Sequence, residues 1–122
     1  MKILFFGDIN GKAGRRALAK VLPQVRSEHS PDLIVGNAEN LAHGKGVTLS
    51  TFEEALRSGV DFFTMGNHGF SKPEVKEVFE RWPDKLIRPA NIPDTLPGAG
   101  FQIVRVKNQP VLMVNLLGQV FM

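Results

Sequence analysis

Three short apolar runs, each closing on a polar turn, constrain this chain more than any other feature. Ile3-Leu4-Phe5-Phe6 closes on Gly7-Asp8-Ile9-Asn10-Gly11, and Leu33-Ile34-Val35 closes on Gly36-Asn37-Ala38-Glu39-Asn40. Val60-Asp61-Phe62-Phe63-Thr64-Met65 closes on Gly66-Asn67-His68-Gly69. Runs of this length bounded by glycine read as buried strands, the first of them covered on both faces. Helical stripes lie between them. Residues 14–28 carry Ala17, Leu18, Val21, Leu22 and Val25 on one face, with Pro23 predicting a kink or an early break. Thr48 or Ser50 can cap a second helix that runs to about Arg57, with Gly59 at its end. Ser71, with Glu74 three residues on, opens a third helix that carries Val75, Val78, Phe79 and Trp82 and stops at Pro83.

The remainder reads differently. Residues 84–100 hold Pro89, Pro93, Pro97, Gly98 and Gly100, which predicts a structured loop. Phe101-Gln102-Ile103-Val104-Arg105-Val106 alternates in polarity. A turn at Lys107-Asn108-Gln109-Pro110 then returns the chain along residues 111–117 as a hairpin partner. The order β-α-β-α-β-α-loop-β-β predicts an α/β fold with a mixed sheet, parallel at first and closed by a C-terminal β-hairpin. Its 122 residues suffice for a single domain over 1–122.

Composition removes several function classes. With 43% hydrophobic and 22% charged residues the chain is too apolar for a disordered tail. Its longest apolar runs fall far short of the roughly 20 residues of a membrane helix, so no membrane partner is expected. There is no cysteine, which excludes a disulfide scaffold, a thiolate zinc site and a cysteine nucleophile, and is compatible with a cytoplasmic setting. The net charge of +3 comes without any block of like charge, and no zinc-finger or RNP signature accompanies it. The spacing Gly7, Gly11, Gly14 is not that of a dinucleotide loop, and Gly11-Lys12 lacks the Ser or Thr of a P-loop. Lys12, Arg15 and Arg16 either face a phosphate or form a solvated helix end.

The chemistry gathers at the strand ends. In open α/β sheets ligands bind beyond the carboxyl ends of the strands. If the three runs are parallel neighbours, Asp8, Glu39, Asn40 and Asn67 converge as oxygen donors, and His68 joins them as a ligand or an acid. Taken singly, each is an ordinary cap or turn residue. Polar ends on three consecutive strands are far harder to dismiss. Carboxylate and amide oxygens suit moderately hard metal ions, and one carboxylate can bridge two of them.

Those residues resemble a known family. Gly-Asp-x-x-Gly, Glu-Asn and Gly-Asn-His, in that order, are similar to the calcineurin-like metallophosphoesterases. Gly7-Asp8-Ile9-Asn10-Gly11-Lys12-Ala13-Gly14-Arg15, Asn37-Ala38-Glu39-Asn40, Thr64-Met65-Gly66-Asn67-His68, Arg88-Pro89-Ala90-Asn91 and Asn115-Leu116-Leu117-Gly118-Gln119-Val120-Phe121-Met122 resemble its YmdB-like branch. The resemblance implies half of a four-layer αββα sandwich. It also implies a phosphodiesterase acting on 2′,3′-cyclic nucleotides or related phosphodiesters; RNA as a partner is a separate reading that rests on the basic charge. Asp8, Glu39 and Asn40 would hold one ion and Glu39 with Asn67 a second, with Glu39 as the bridge. Iron is the implied metal and manganese the alternative. His68 matches the family's general acid.

Two departures accompany the match. Gly69-Phe70-Ser71 stands where relatives tend to have a Thr-Trp-Asp-like stretch. The family also continues for about as long again, and its second half brings histidine ligands. Here the histidines are His29, His43 and His68, and His29 and His43 read as surface residues. The expectation is therefore a truncated domain whose activity alone is open. It would expose an apolar sheet face around Val111, Met113 and Asn115 or their neighbours, and would self-associate or pair with a complementary half. A non-catalytic remnant or assembly module is the alternative.

Overall fold

The computed structural model describes residues 1–118; the tail Gln119-Val120-Phe121-Met122 of the last quoted motif lies outside the described residues. The elements in chain order are β1 (Ile3–Asp8), α1 (Gly11–His29), β2 (Leu33–Asn37), α2 (Leu49–Arg57), β3 (Phe62–Thr64), α3 (Val75–Arg81), β4 (Leu86–Ile87), β5 (Phe101–Val106) and β6 (Gln109–Val114). Strands β1-β2-β3-β4 form one parallel sheet in that order. The antiparallel hairpin β5-β6 is a separate two-stranded sheet, so the parallel and antiparallel parts are layered and not joined edge to edge.

Alternation along the strands decides which layer each side chain joins. Ile34, Phe63 and Leu86 pack with Leu18, Leu22 and Phe52 of the helices. Their neighbours Leu33, Val35, Phe62 and Ile87 pack on the opposite face with Val106 and, partly buried, Val104, Val111 and Met113 of the hairpin. The layers are thus helices, parallel sheet and hairpin. Full burial of one such side chain is worth about 1.5–3 kcal/mol.

Several local expectations meet a physical correction. β1 is not covered on both faces: it is the sheet edge, and Ile3 and Phe5 are 42% and 59% exposed. They lie on the same side as Leu33 and Val35, where the hairpin reaches β2–β4 but not β1. Pro23 does not stop α1, which runs on to His29. The proline is exposed, so water can serve the carbonyl that its missing N–H leaves free. α2 is capped by Thr48, whose hydroxyl accepts from the Thr51 N–H while Thr51 answers to the Thr48 N–H. α3 opens at Glu74, not Ser71. β4 lies inside the expected loop, two fully buried residues with no periodicity to read.

The hairpin turn is two residues long. Lys107 and Asn108 both have positive φ (48° and 65°), as a tight two-residue hairpin loop requires. Pro110 therefore sits inside β6 opposite Arg105, one pair beyond the closing pair Val106–Gln109. That is a pair that exchanges no ladder bonds, so the missing N–H costs nothing there. The register also decides which of the two expected faces is exposed. Val111 and Met113 turn toward the parallel sheet, while their neighbours Leu112 and Val114, with Phe101 and Ile103, face outward at more than half exposure.

Asp32 fastens the hairpin turn to the amino end of the parallel sheet. Its carboxylate accepts from the Lys2 N–H (2.7 Å) and pairs with Lys107 Nζ (2.5 Å). The Lys107 ammonium, then the Lys2 amide, hold the Asp32 carboxyl below the ordinary aspartate range. A lowered folded-state pKa gives stabilisation that is present above the unfolded value near 4 and is lost as pH falls through the folded one. Between about pH 5 and about pH 3, melting temperature should fall more steeply for the parent than for Asp32→Asn. Equal slopes in thermal melts would remove the ion pair from the account.

Candidate functional site

Parallel pairing brings the three polar strand ends to one edge. The register sets Asp8 beside Asn37 and Asn37 beside Thr64, so the residues that follow leave the sheet side by side. Asn37 Oδ1 accepts from the Glu39 N–H at 3.2 Å and turns the chain directly beyond β2. The Gly11 N–H to Asn40 carbonyl bond (2.8 Å) and the Gly46 N–H to Glu39 carbonyl bond (2.5 Å) then hold that turn from both sides.

Asn40 lies at the centre and is buried. Its Nδ2 donates to Asp8 Oδ1 at 2.7 Å, and its Oδ1 lies 2.9 Å from His68 Nδ1. A carboxylate only accepts, so Asp8 fixes which end of the amide faces it. The amide oxygen is then left for His68, and Nδ1 must be the donor. That leaves Nε2 as the ring atom able to exchange a proton.

Glu39 is placed by a glycine. A Cβ on Gly66 would lie 2.1 Å from Glu39 Oε1 and 2.3 Å from Oε2, so the carboxylate occupies the volume that any other residue would fill. Glu39 Oε2 also accepts from the His68 N–H at 3.0 Å. Asn67 stands between these two anchored residues; its exposed side chain makes no hydrogen bond among the described residues.

The structure thus joins Asp8, Asn40 and His68 through side chains and brings Glu39 onto the Gly66-His68 backbone. Asn67 belongs to the same turn, with its amide facing solvent. Among the described residues no three of His, Asp and Glu are grouped so as to hold a metal ion, so an ion would depend on the two asparagines as well. The donor set fits one. Asp8 Oδ2 and Glu39 Oε1 accept no hydrogen bond among the described residues, and an amide oxygen bonded to one donor keeps a second lone pair.

Other candidates resolve as structural. Arg15 is committed to Glu54 (2.6 Å) and to the Leu41 carbonyl, which removes it as a phosphate contact. His29 and His43 are exposed, and residues 43–46 form a hydrogen-bonded turn with positive φ at His43, Gly44 and Gly46. Sequence reading quoted Asn37 and Asn115 within motifs but gave them no role; Asn115 Nδ2 donates to the Met65 carbonyl, immediately before Gly66. No local signal marks a contact made 50 residues away.

The chain is 37% identical over 122 residues to the 2′,3′-cyclic-nucleotide 2′-phosphodiesterase of Bacillus subtilis (strain 168), covering 100% of this chain and 46% of that protein. A crystal structure of a hypothetical protein from Thermus thermophilus superposes with a TM-score of 0.91 at 35% identity, covering 100% of this chain and 47% of the other. A phosphatase structure from Mycoplasma pneumoniae gives 0.89 at 35% identity, covering 98% and 43%. The chain therefore spans a little under half the length of these relatives, two of which are named as phosphodiesterase or phosphatase. Residues 4–122 match the family described as YmdB-like protein, with the Asp8, Glu39-Asn40 and Asn67-His68 turns all inside that span, and the chain belongs to that family.

Proposed function

We propose that this chain is the amino-terminal part of a metal-dependent phosphodiesterase that opens 2′,3′-cyclic nucleotides or related phosphodiesters in the cytoplasm. The observation that carries the reading is the hydrogen-bonded line Asp8–Asn40–His68 with Glu39 seated over Gly66 on one sheet edge. Asp8, Glu39 and Asn40 would hold one ion, and Glu39 with Asn67 a second, with iron as the first expectation and manganese as the alternative. Bound ions supply positive charge to the phosphoryl oxygens and lower the pKa of a water that serves as nucleophile.

The chain's own residues do the rest. Asp8 fixes the Asn40 amide, and Asn40 Oδ1 holds His68 Nδ1, so the ring presents Nε2. As water oxygen bonds to phosphorus and releases a proton to solvent, the bond from phosphorus to a ribose oxygen breaks. The departing oxygen takes its proton from His68 Nε2, and the ring ends neutral.

The test starts from chelator-stripped protein. Manganese or ferrous iron is titrated back while hydrolysis of bis-p-nitrophenyl phosphate and 2′,3′-cAMP is followed. The assay is run with the chain alone and with an added polypeptide matching the second half of the Bacillus relative. Ion-dependent turnover in either arm, lowered at least about a hundredfold by Asp8→Ala, is expected. Absence of both ion binding and turnover in both arms would sink the reading.

A second reading, an assembly module, is favoured by the outer hairpin face. Ile103, Leu112 and Val114 expose more than half of their surface side by side, and contiguous apolar area of this kind is usually covered. Light scattering should find a mass above the 13.5 kDa of one chain, returned to one chain by Leu112→Glu. A monomeric parent protein would count against it.

A further inference from the structure

Besides the His68 ring's bond to Asn40, side chains from elsewhere hold the backbone of the turn that carries Asn67 and His68 at two points. One is Glu39, through the His68 N–H. The other is Asn115, which donates from Nδ2 to the carbonyl of Met65. Met65 is fully buried and lies one residue beyond the last ladder residue of β3, Thr64. The neighbouring strand cannot serve its carbonyl: the Phe63 N–H bonds the Lys85 carbonyl, so continuing the parallel ladder would bring residue 89 to Met65, and Pro89 has no N–H. A buried carbonyl needs a donor, and here a side chain from the far end of the chain supplies it.

Asn115 is itself firmly placed. Its carbonyl accepts from the Ala90 N–H at 2.8 Å, and its N–H reaches the Gly100 carbonyl at 3.4 Å. Two residues on, Leu117 is gripped by Asn91 through both ends of the amide, at 2.7 and 2.8 Å. The loop bearing Asn91 is anchored in turn by buried Arg88, which bonds Asp94 (3.0 Å) and the Gly98 carbonyl (3.0 Å).

We infer that Asn115 is a positioning residue for the Gly66–His68 turn, with Asn91 holding Asn115's segment in register. The inference deepens the proposed function, since this turn carries one of the proposed ion ligands and the acid. Asn115 would act through the Met65-Gly66 peptide and touch neither ion nor substrate. Of the two backbone anchors, Glu39 would be shared with the ions, so Asn115 is the one whose bond does not change when they bind.

The test is amide hydrogen exchange on the metal-free protein, followed by manganese titration. Asn115→Leu keeps the volume and removes the donor. The His68 and Gly69 amides should exchange at least about tenfold faster, while Ile34 and Phe63, bonded to Asp61 and the Lys85 carbonyl, stay as in the parent. Asn91→Ala should give a smaller change at the same amides. Manganese affinity should fall about tenfold in Asn115→Leu, the usual size for a residue supporting a ligand. Unchanged His68 and Gly69 amides would overturn the inference, and so would a parallel loss at all four, which marks a merely structural residue. A parent protein that binds neither manganese nor ferrous iron, alone or with the second polypeptide, overturns the two-ion reading instead, and the exchange data still decide the role of Asn115.

Discussion

Replacing Gly66 with alanine should disrupt the site more than any other single methyl group added to this chain. The new Cβ would stand 2.1–2.3 Å from the Glu39 carboxylate, well inside any real contact. A flexible side chain could swing away cheaply, but Glu39 is only half exposed and its Oε2 holds the His68 N–H. Moving it breaks a charge-assisted bond worth about 1.5–3 kcal/mol and takes the proposed bridging carboxylate out of place. Manganese affinity should therefore fall at least about a hundredfold, with stability reduced by about 1–3 kcal/mol. Gly7→Ala is the control. That glycine also follows an apolar strand run in a Gly-Asp motif, yet its Cβ would meet nothing within 4 Å, and the change should stay within about 0.5 kcal/mol. The source of the damage can be isolated in a double-mutant cycle. With Glu39→Ala already present, Gly66→Ala should add little to the loss of stability. A full additional cost there would mean that the glycine serves the backbone and not the carboxylate.

The contrast between those two glycines shows what the sequence could and could not convey. That polar groups gather at one edge was legible, because three apolar runs with helices between them leave a parallel sheet as the economical arrangement. Asp8, Asn40 and His68 meet as that argument requires. Which glycine is indispensable was not legible, since Gly7 and Gly66 look alike until a side chain from another strand is placed over one of them. Exposure was misread for a related reason. Ile3 and Phe5 sit in a run as apolar as that of β2, but burial depends on what covers the run, and the hairpin stops short of β1. The sequence left open which face of β6 turns outward, because a strand's faces follow its register, and the register follows from two residues of positive φ that make the turn shorter than its Lys-Asn-Gln-Pro composition suggested. The Asn115–Met65 bond was not legible either: it satisfies a carbonyl whose ladder position on the neighbouring strand falls to Pro89, which has no N–H.

The largest kinetic effect is expected at His68, and its size should depend on the leaving group. If Nε2 protonates the departing oxygen, the benefit is great for a ribose alkoxide and small for p-nitrophenolate, which leaves without a proton. His68→Ala should lower turnover of a 2′,3′-cyclic nucleotide by about 10²–10⁴ while bis-p-nitrophenyl phosphate loses far less. The same variant should keep most of its manganese affinity, because the Asp8–Asn40 bond does not pass through the ring. Equal losses of ion and of turnover would instead make His68 a ligand. His68→Asn separates the two roles that the ring could combine. An asparagine amide can still donate toward Asn40 Oδ1, where Nδ1 now lies at 2.9 Å, but it carries no proton to give. If orientation of Asn40 were the whole contribution, His68→Asn would recover most of the parent rate on the cyclic nucleotide. If proton transfer is the contribution, it should be as slow as His68→Ala on that substrate and close to the parent on the nitrophenyl ester. The ratio of the two rates in one variant needs no knowledge of how much protein is active, so it reads the chemistry even where half of the relatives' length must be supplied as a second polypeptide.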